Sequence, residues 1–317
     1  MRRFMCGILC GGLLLCSGCV GGAPAESTAP PVSSPGTVTA GTTTTAATTT
    51  ATTTTTVTVP TPAPGVSGPL SSEQVARLDS KLSSYGGKVS VGFLDLTSGV
   101  SYRFQPEHRY FAASLMKAPF CQYILQTASR GDCDLDKQLE YTKQFYSTGT
   151  GKIKNEPYGT RYSIRTLVEY AIRYSDNAAL RMLRNEFGTA GFTAYAGELG
   201  IPDTKAIQLL TNSTITVDDA LIYMQAIHRF IQEDAVNGPL LHQYMTSTTN
   251  PMIVSNRKYP VVRKYGWATA SFHDMAIIEA PHPYILVILT DHEDGTAADF
   301  AMFRQISALF EEMASPT

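Results

Sequence analysis

The chain has 317 residues, 16% of them charged, with a formal net charge of −2. Its length allows about two domains, but residues 20–69 hold one charged side chain, Glu26, and no aromatic, too little to offset chain entropy by burial. Leu70 to Thr317 is 248 residues, enough for one core, and with 23 basic against 26 acidic residues its formal charge is −3. Such a near-neutral domain without a basic run speaks against a nucleic-acid partner, and the absence of a Gly-X-Y period or a sustained heptad rules out collagen-like and coiled-coil architectures.

Arg2 and Arg3 precede an apolar stretch, Phe4 to Leu15, with the build of an export signal and too short to span a bilayer comfortably. Cys16-Ser17-Gly18-Cys19 follows and resembles the lipobox of bacterial lipoproteins, although Cys16 stands where that family usually has Leu. The resemblance implies a signal over 1–19, lipidation at Cys19 and a protein held at the outer face of the cell membrane; the alternative is an ordinary cleaved signal. Residues 20–69, rich in Thr, Ala and Pro, read as a disordered linker spanning roughly 40 Å as a flexible coil. Its role is either a tether reaching towards the cell wall or a passive tail.

Within 70–317, Ser71 and Gln74 form a capping box for a helix to about Ser84. Val89, Val91 and Phe93 alternate as a strand, and Thr97-Ser98-Gly99 turns into a second strand around Tyr102 and Phe104. Ser114 to Gln126 reads as a helix ended by Gly131-Asp132. Ser163 caps a helix with Ile164, Leu167, Val168, Ala171 and Ile172 on one face, and Thr216 with Asp219 opens another bearing Leu221, Met224, Ile227 and Ile231. Pro260 to Tyr265, Asp274 to Glu279 and Tyr284 to Thr290 read as strands. A last helix is capped by Thr296 and Asp299 and carries Phe300, Phe303, Ile306 and Phe310. Strands at both ends with helices between predict an α+β fold: one antiparallel sheet from both chain ends beside a helical lobe.

Ser114-Leu115-Met116-Lys117 places a hydroxyl and an amine one helical turn apart. A serine is scarcely ionised at neutral pH and needs such a base, which a desolvated lysine can supply. The tetrapeptide alone is expected about once by chance in a chain of this length. It is followed by Ser175-Asp176-Asn177 at the end of a predicted helix and Lys264-Tyr265-Gly266 on a predicted strand.

In this order and on these elements the three motifs resemble Ser-x-x-Lys, Ser-Asp-Asn and Lys-Thr-Gly of the serine β-lactamase and penicillin-binding protein superfamily, class A above all, over essentially all of 70–317. The resemblance implies a β-lactamase/transpeptidase-like fold with the active site between sheet and helical lobe. Ser114 would be acylated, Lys117 would activate it, and Ser175 would pass a proton to the departing nitrogen. Asn177 would hold the substrate's side-chain amide, Lys264 would attract its carboxylate, Tyr265 and Gly266 would complete the substrate-binding strand, and the backbone N–H groups of Ser114 and Trp267 would form the oxyanion hole. The indole of Trp267 either lines the cleft or packs in the core.

The sequence departs from class A at two points. The text corresponding to the Ω-loop, Gly200 to Asn212, is short and has no Glu to activate the deacylating water; Glu186 and Glu198 belong to helical text, and Asp218 and Asp219 to the next helix start. Tyr265 stands where the family has Thr or Ser, which would move the hydroxyl several ångströms from a lactam carboxylate. No cofactor is implied. The six histidines, His108, His228, His242, His273, His282 and His292, show no paired metal spacing, so no metal is expected. His292-Glu293-Asp294 reads as an exposed turn, and Cys121 and Cys133 as unpaired thiols.

Three functions follow: an exported serine hydrolase of the β-lactamase type acting on β-lactams or related D-Ala-D-Ala-like amides, a D,D-peptidase acting on a peptidoglycan stem peptide, or a penicillin-binding sensor without turnover. The expected partners are that small-molecule substrate and a membrane reached through the lipid anchor. A monomer is expected.

Overall fold

A computed structural model describes residues 70–86, 88–207, 212–292 and 295–314. The expected signal, Cys19 and the 20–69 linker lie outside the described residues.

Helix α1 (Ser72–Ser83) forms from its capping box, with Ser71 and Gln74 satisfying one another's backbone donors. Strands β1 (Val89–Asp95) and β2 (Ser101–Phe104) make the expected hairpin, and the chain returns to this sheet through β7 (Val261–Ala268), β8 (Ser271–Ile278) and β9 (Tyr284–Thr290). The strand order is β2-β1-β9-β8-β7 with every neighbouring pair antiparallel, so the first and last strands of the domain lie side by side. The fold is the α+β arrangement anticipated from the chain ends.

β9 is buried on both faces, and its side chains divide between two cores. Tyr284, Leu286 and Ile288 join Leu78 and Leu82 of α1 and Phe303, Ile306 and Phe310 of α8 (Ala297–Met313); Ile285, Val287 and Leu289 join the helical lobe. The capping box of Thr216 and Asp219 starts α6 (Val217–Glu233), which lies on the sheet at Gly92, where an added Cβ would stand 2.5 Å from Val217. Only a residue without a side chain lets helix and strand approach so closely.

The rest of the lobe comprises α2 (Lys117–Ser129), α3 (Ile164–Arg173), α4 (Asn177–Phe187), α5 (Ala190–Glu198) and α7 (Gly238–Thr246). Short strand pairs, β3 (Tyr110–Phe111) with β6 (Thr214–Ile215) and β4 (Gln138–Glu140) with β5 (Arg161–Ser163), brace its edges. α2 is its core helix, with Ala118, Phe120, Cys121, Ile124 and Leu125 fully buried. The five apolar positions anticipated for α3 are all buried.

Two boundaries differ from expectation. Ser114 precedes α2 in successive tight turns (Leu115 N–H to Ala112 O, Lys117 N–H to Ser114 O, Ala118 N–H to Leu115 O), so the helix begins at Lys117. The β7–β8 hairpin runs on to Ala268 and turns through Thr269 and Ala270, the latter at φ 52°. That turn carries no Gly or Asn, the usual residues at positive φ, which is why the sequence reading stopped the strand early. Cys121 and Cys133 are both free, as expected.

Phe310 is fully buried and its ring lies 5.2 Å from Phe93 and 5.8 Å from Tyr102. Phe310→Ala should cost about 3–5 kcal/mol in denaturant unfolding; a loss below about 1 kcal/mol would contradict the packing of α8 on the sheet.

Candidate active site

The site lies where the turn before α2 meets the edge strand β7. Ala113, immediately before Ser114, takes φ 46°, a left-handed conformation that persists only when its surroundings fix it. Two side chains of β8 do so: His273 Nε2 and Ser271 Oγ both donate to Phe111 O, at 2.9 and 3.1 Å. Thr290 N–H donates to His273 Nδ1 at 3.1 Å, so the ring proton sits on Nε2. Burial holds His273 neutral, lowering its pKa to about 4. Gly266 completes the junction, since a Cβ there would stand 3.0 Å from Ala112 O and 3.1 Å from Leu115. It is a close-approach glycine that seats β7 against the Ser114 turn, and this brings Ser114 and Trp267 to one cleft.

Ser175 lies fully buried in the turn between α3 and α4, at φ 52°. Asp176 locks that turn: one carboxylate oxygen caps α4 at Ala179 N–H (3.0 Å), and the other accepts from Lys152 and Ile153 N–H at 2.6 and 3.0 Å. Thr150 Oγ1 donates to Ser175 O at 2.7 Å, and Asn177 Nδ2 to Thr148 O at 3.1 Å. The Ser147–Ile153 loop was not recognised as part of the site. Its Ser/Thr/Gly-rich text was the available signal, but such text marks loops generally.

Both motif lysines are buried and converge on Ser175. Lys117 Nζ bonds the Ser175 carbonyl, Ser175 Oγ at 3.1 Å and Asn177 Oδ1 at 2.7 Å. Lys264 Nζ bonds the same Ser175 Oγ at 3.1 Å and Tyr265 O at 2.9 Å. Burial pulls the Lys117 pKa down to about 7, opposed by the charge of Asp176. Lys264 is lowered well below the usual lysine range, by burial first and then by Lys117. Burial pushes the nearby Cys121 thiol up to about 12, so it is no competing nucleophile.

Ser114, Lys117, Asn177 and Trp267 line one cleft of ≈ 240 Å³ together with Ser147 and Arg181. Trp267, 41% exposed, takes the cleft-lining alternative, with its ring 5.3 Å from Phe272. Ser175, Lys264 and Gly266 are not among the cleft-lining residues; Ser175 and Lys264 connect to the cleft behind its wall, through the hydrogen bonds that Lys117 and Lys264 give to Ser175 Oγ. Tyr265 is also away from the cleft: it is buried, its hydroxyl lies 3.2 Å from Thr249 Oγ1, and Lys264 Nζ sits 4.0 Å from its ring centroid. No described residue lining the cleft is a carboxylate, and residues 208–211 of the shortened loop lie outside the described residues. Among the described residues no cluster could hold a metal ion; His292 instead bonds Asp299 and Gly86 O, while Glu293 and Asp294 are outside them.

A model of the Beta-lactamase enzyme family matches residues 71–312. The chain belongs to that family. A beta-lactamase of Amycolatopsis lactamdurans is 24% identical over 75% of this chain and 83% of its own length. The carbapenem-hydrolyzing beta-lactamase KPC of Klebsiella oxytoca is 28% identical, but the match spans 44% of this chain and about half (48%) of that relative. Among solved structures, PBP-A superposes with a TM-score of 0.69 at 16% identity, covering 76% of this chain and 96% of that one. A beta-lactamase from Sphaerobacter thermophilus gives 0.67 at 18% identity over 77% and 99%. These likenesses support the fold, a β-lactamase/transpeptidase-like sheet and helical lobe.

With its pKa near 7, Lys117 changes from ammonium to amine, and so to base, as pH rises through that value. The reactivity of Ser114 towards an acylating probe should therefore rise with pH and level off above about 7. A profile still climbing towards about 10, the ordinary lysine value, would contradict this assignment of the base.

Proposed function

We propose that the protein is a serine hydrolase of the β-lactamase type that is acylated at Ser114 by β-lactams or D-Ala-D-Ala-like amides and releases the acyl group slowly. The observation that carries this reading is the convergence of two buried lysines on Ser175, one of which, Lys117, lines with Ser114 a cleft that has no carboxylate among its described lining residues. Neutral Lys117 takes the Ser114 proton as Oγ attacks the carbonyl carbon. The tetrahedral intermediate collapses by breaking the C–N bond, and the proton reaches the leaving nitrogen through Ser175, whose hydroxyl both lysines contact. Asn177, fixed by Thr148 and Lys117, presents its amide to the substrate's side-chain amide.

Deacylation needs a base for water. A class A enzyme uses its Ω-loop glutamate; here Gly200 to Asn212 contains none, and its one acidic residue, Asp203, is exposed. A mutant of PBP-A, a structural neighbour at TM-score 0.67 and 17% identity, is described as an acyl-enzyme complex with penicillin G, which supports a long-lived adduct on this fold. With Tyr265 outside the cleft, that position offers no hydroxyl for a substrate carboxylate of either class; the absent Glu in Gly200 to Asn212 is what makes a peptidoglycan D,D-peptidase the second reading.

Benzylpenicillin should add its mass to the protein and not to Ser114→Ala, with peptide mapping placing it on Ser114; Lys117→Ala should slow addition by about 10²–10⁴. Neither adduct nor turnover of a chromogenic cephalosporin would overturn the reading. The proposal extends to an exported domain anchored through Cys19: fatty-acid labelling in cells should disappear in Cys19→Ala, and an unlabelled native protein would remove the anchor.

A further inference from the structure

The walls of the cleft continue beyond Asn177. Ser147 and Arg181 line the cleft, and the same two stretches of chain line a second, more open groove of ≈ 410 Å³, through Gln144 and Phe145 on the one and Arg181, Arg184 and Asn185 on the other. Arg181 belongs to both cavities, so they adjoin along α4.

The groove is cationic without a counter-charge. Neither Arg181 nor Arg184 makes an ion pair among the described residues, and no carboxylate lines the groove. Glu186, on the same helix, is taken by Lys137 at 2.5 Å. Arg184 Nε is shut off from solvent and has no hydrogen-bond partner. Its guanidinium is less readily protonated than an ordinary arginine, because of burial first and the Arg181 charge second. Two like charges side by side, one partly desolvated, cost free energy that a bound anion recovers, and the planar guanidinium matches a carboxylate with paired N–H donors. With a formal domain charge of −3, this attraction is local to the groove.

The geometry points to a second subsite, in which Arg181 and Arg184 take a carboxylate carried on the acyl arm of the substrate, the arm that passes Asn177. From Asn177 to Arg184 is two helical turns, about 10 Å along the axis, the reach of about three extended residues. The ligand class is therefore a peptide amide with a free acid two or three residues before the scissile bond, flanked by the side-chain amides of Gln144 and Asn185. The placement of the arm rests on Ser114 being the acylated residue; the anion site itself does not.

Binding to the full-length Ser114→Ala chain tests the site without requiring acylation. Two unreactive peptides ending in D-Ala-D-Ala, identical except that one bears that carboxylate and the other its carboxamide, are titrated by calorimetry. The acid should bind about 10-fold tighter at low salt, with the ratio falling as salt rises. Adding Arg184→Gln or Arg181→Gln should bring the ratio to about one, whereas Arg184→Lys, which keeps the charge, should retain part of it. Equal affinity for acid and amide, no binding of either, or a ratio untouched by the arginine substitutions overturns the subsite. Failure of benzylpenicillin to acylate the native chain overturns the acyl-serine reading and leaves this ratio to be judged by itself.

Discussion

Two lysines share one buried hydroxyl. Lys117 and Lys264 are at most 2% exposed and both donate to Ser175 Oγ, so two full positive charges there would be largely cut off from water and have no directly bonded carboxylate. Burial therefore moves both pKa values down, and for Lys264 the charge of Lys117 adds to the shift. The low dielectric that penalises the charges thus supplies the neutral amine that a serine nucleophile requires. The remaining features of the site hold this cluster in place. Asp176 locks the turn bearing Ser175, His273 and Ser271 pin the strand leading to Ser114, and Gly266 allows the edge strand to close against it.

What was legible in the sequence was chemistry with a local signature. Ser71, Thr216 and Thr296 each cap the helix anticipated for them because a capping box involves only four consecutive residues. The pairing of the chain ends followed from strands at both termini, since β1 and β9 had to share a sheet to bury both faces of β9. The three motifs converge because Ser175, Lys264 and Lys117 carry groups that meet at hydrogen-bond distance.

What escaped sequence reading depends on tertiary contact. Ser114 sits in tight turns before its helix because β8 holds Phe111 from across the fold. The Ser147–Ile153 loop contributes mostly through backbone groups, with Thr150 Oγ1 adding a side-chain bond to the Ser175 turn, and its residue types do not set it apart from other loops. Trp267 shows that burial propensity is a weak guide at an edge strand, where a large ring can rest on Phe272 and still face the cleft. The sequence marked Tyr265 as a departure from the family, and the structure gives it a different partner, Thr249, and a place beside Lys264. The domain carries Ser114-x-x-Lys117 and Ser175-Asp176-Asn177; it has no Glu in Gly200 to Asn212, and a Tyr, not Thr or Ser, stands at position 265.

The proposed function is a separation of rates: acylation at Ser114 with Lys117 in the same cleft, and slow deacylation because no described residue lining that cleft is a carboxylate. The direct measurement is a chase, in which the penicillin adduct is formed, free penicillin is removed, and the acylated fraction is followed by intact mass. An adduct that outlasts its formation time many-fold agrees with the account. An adduct that vanishes as fast as it forms, with repeated turnover, contradicts it.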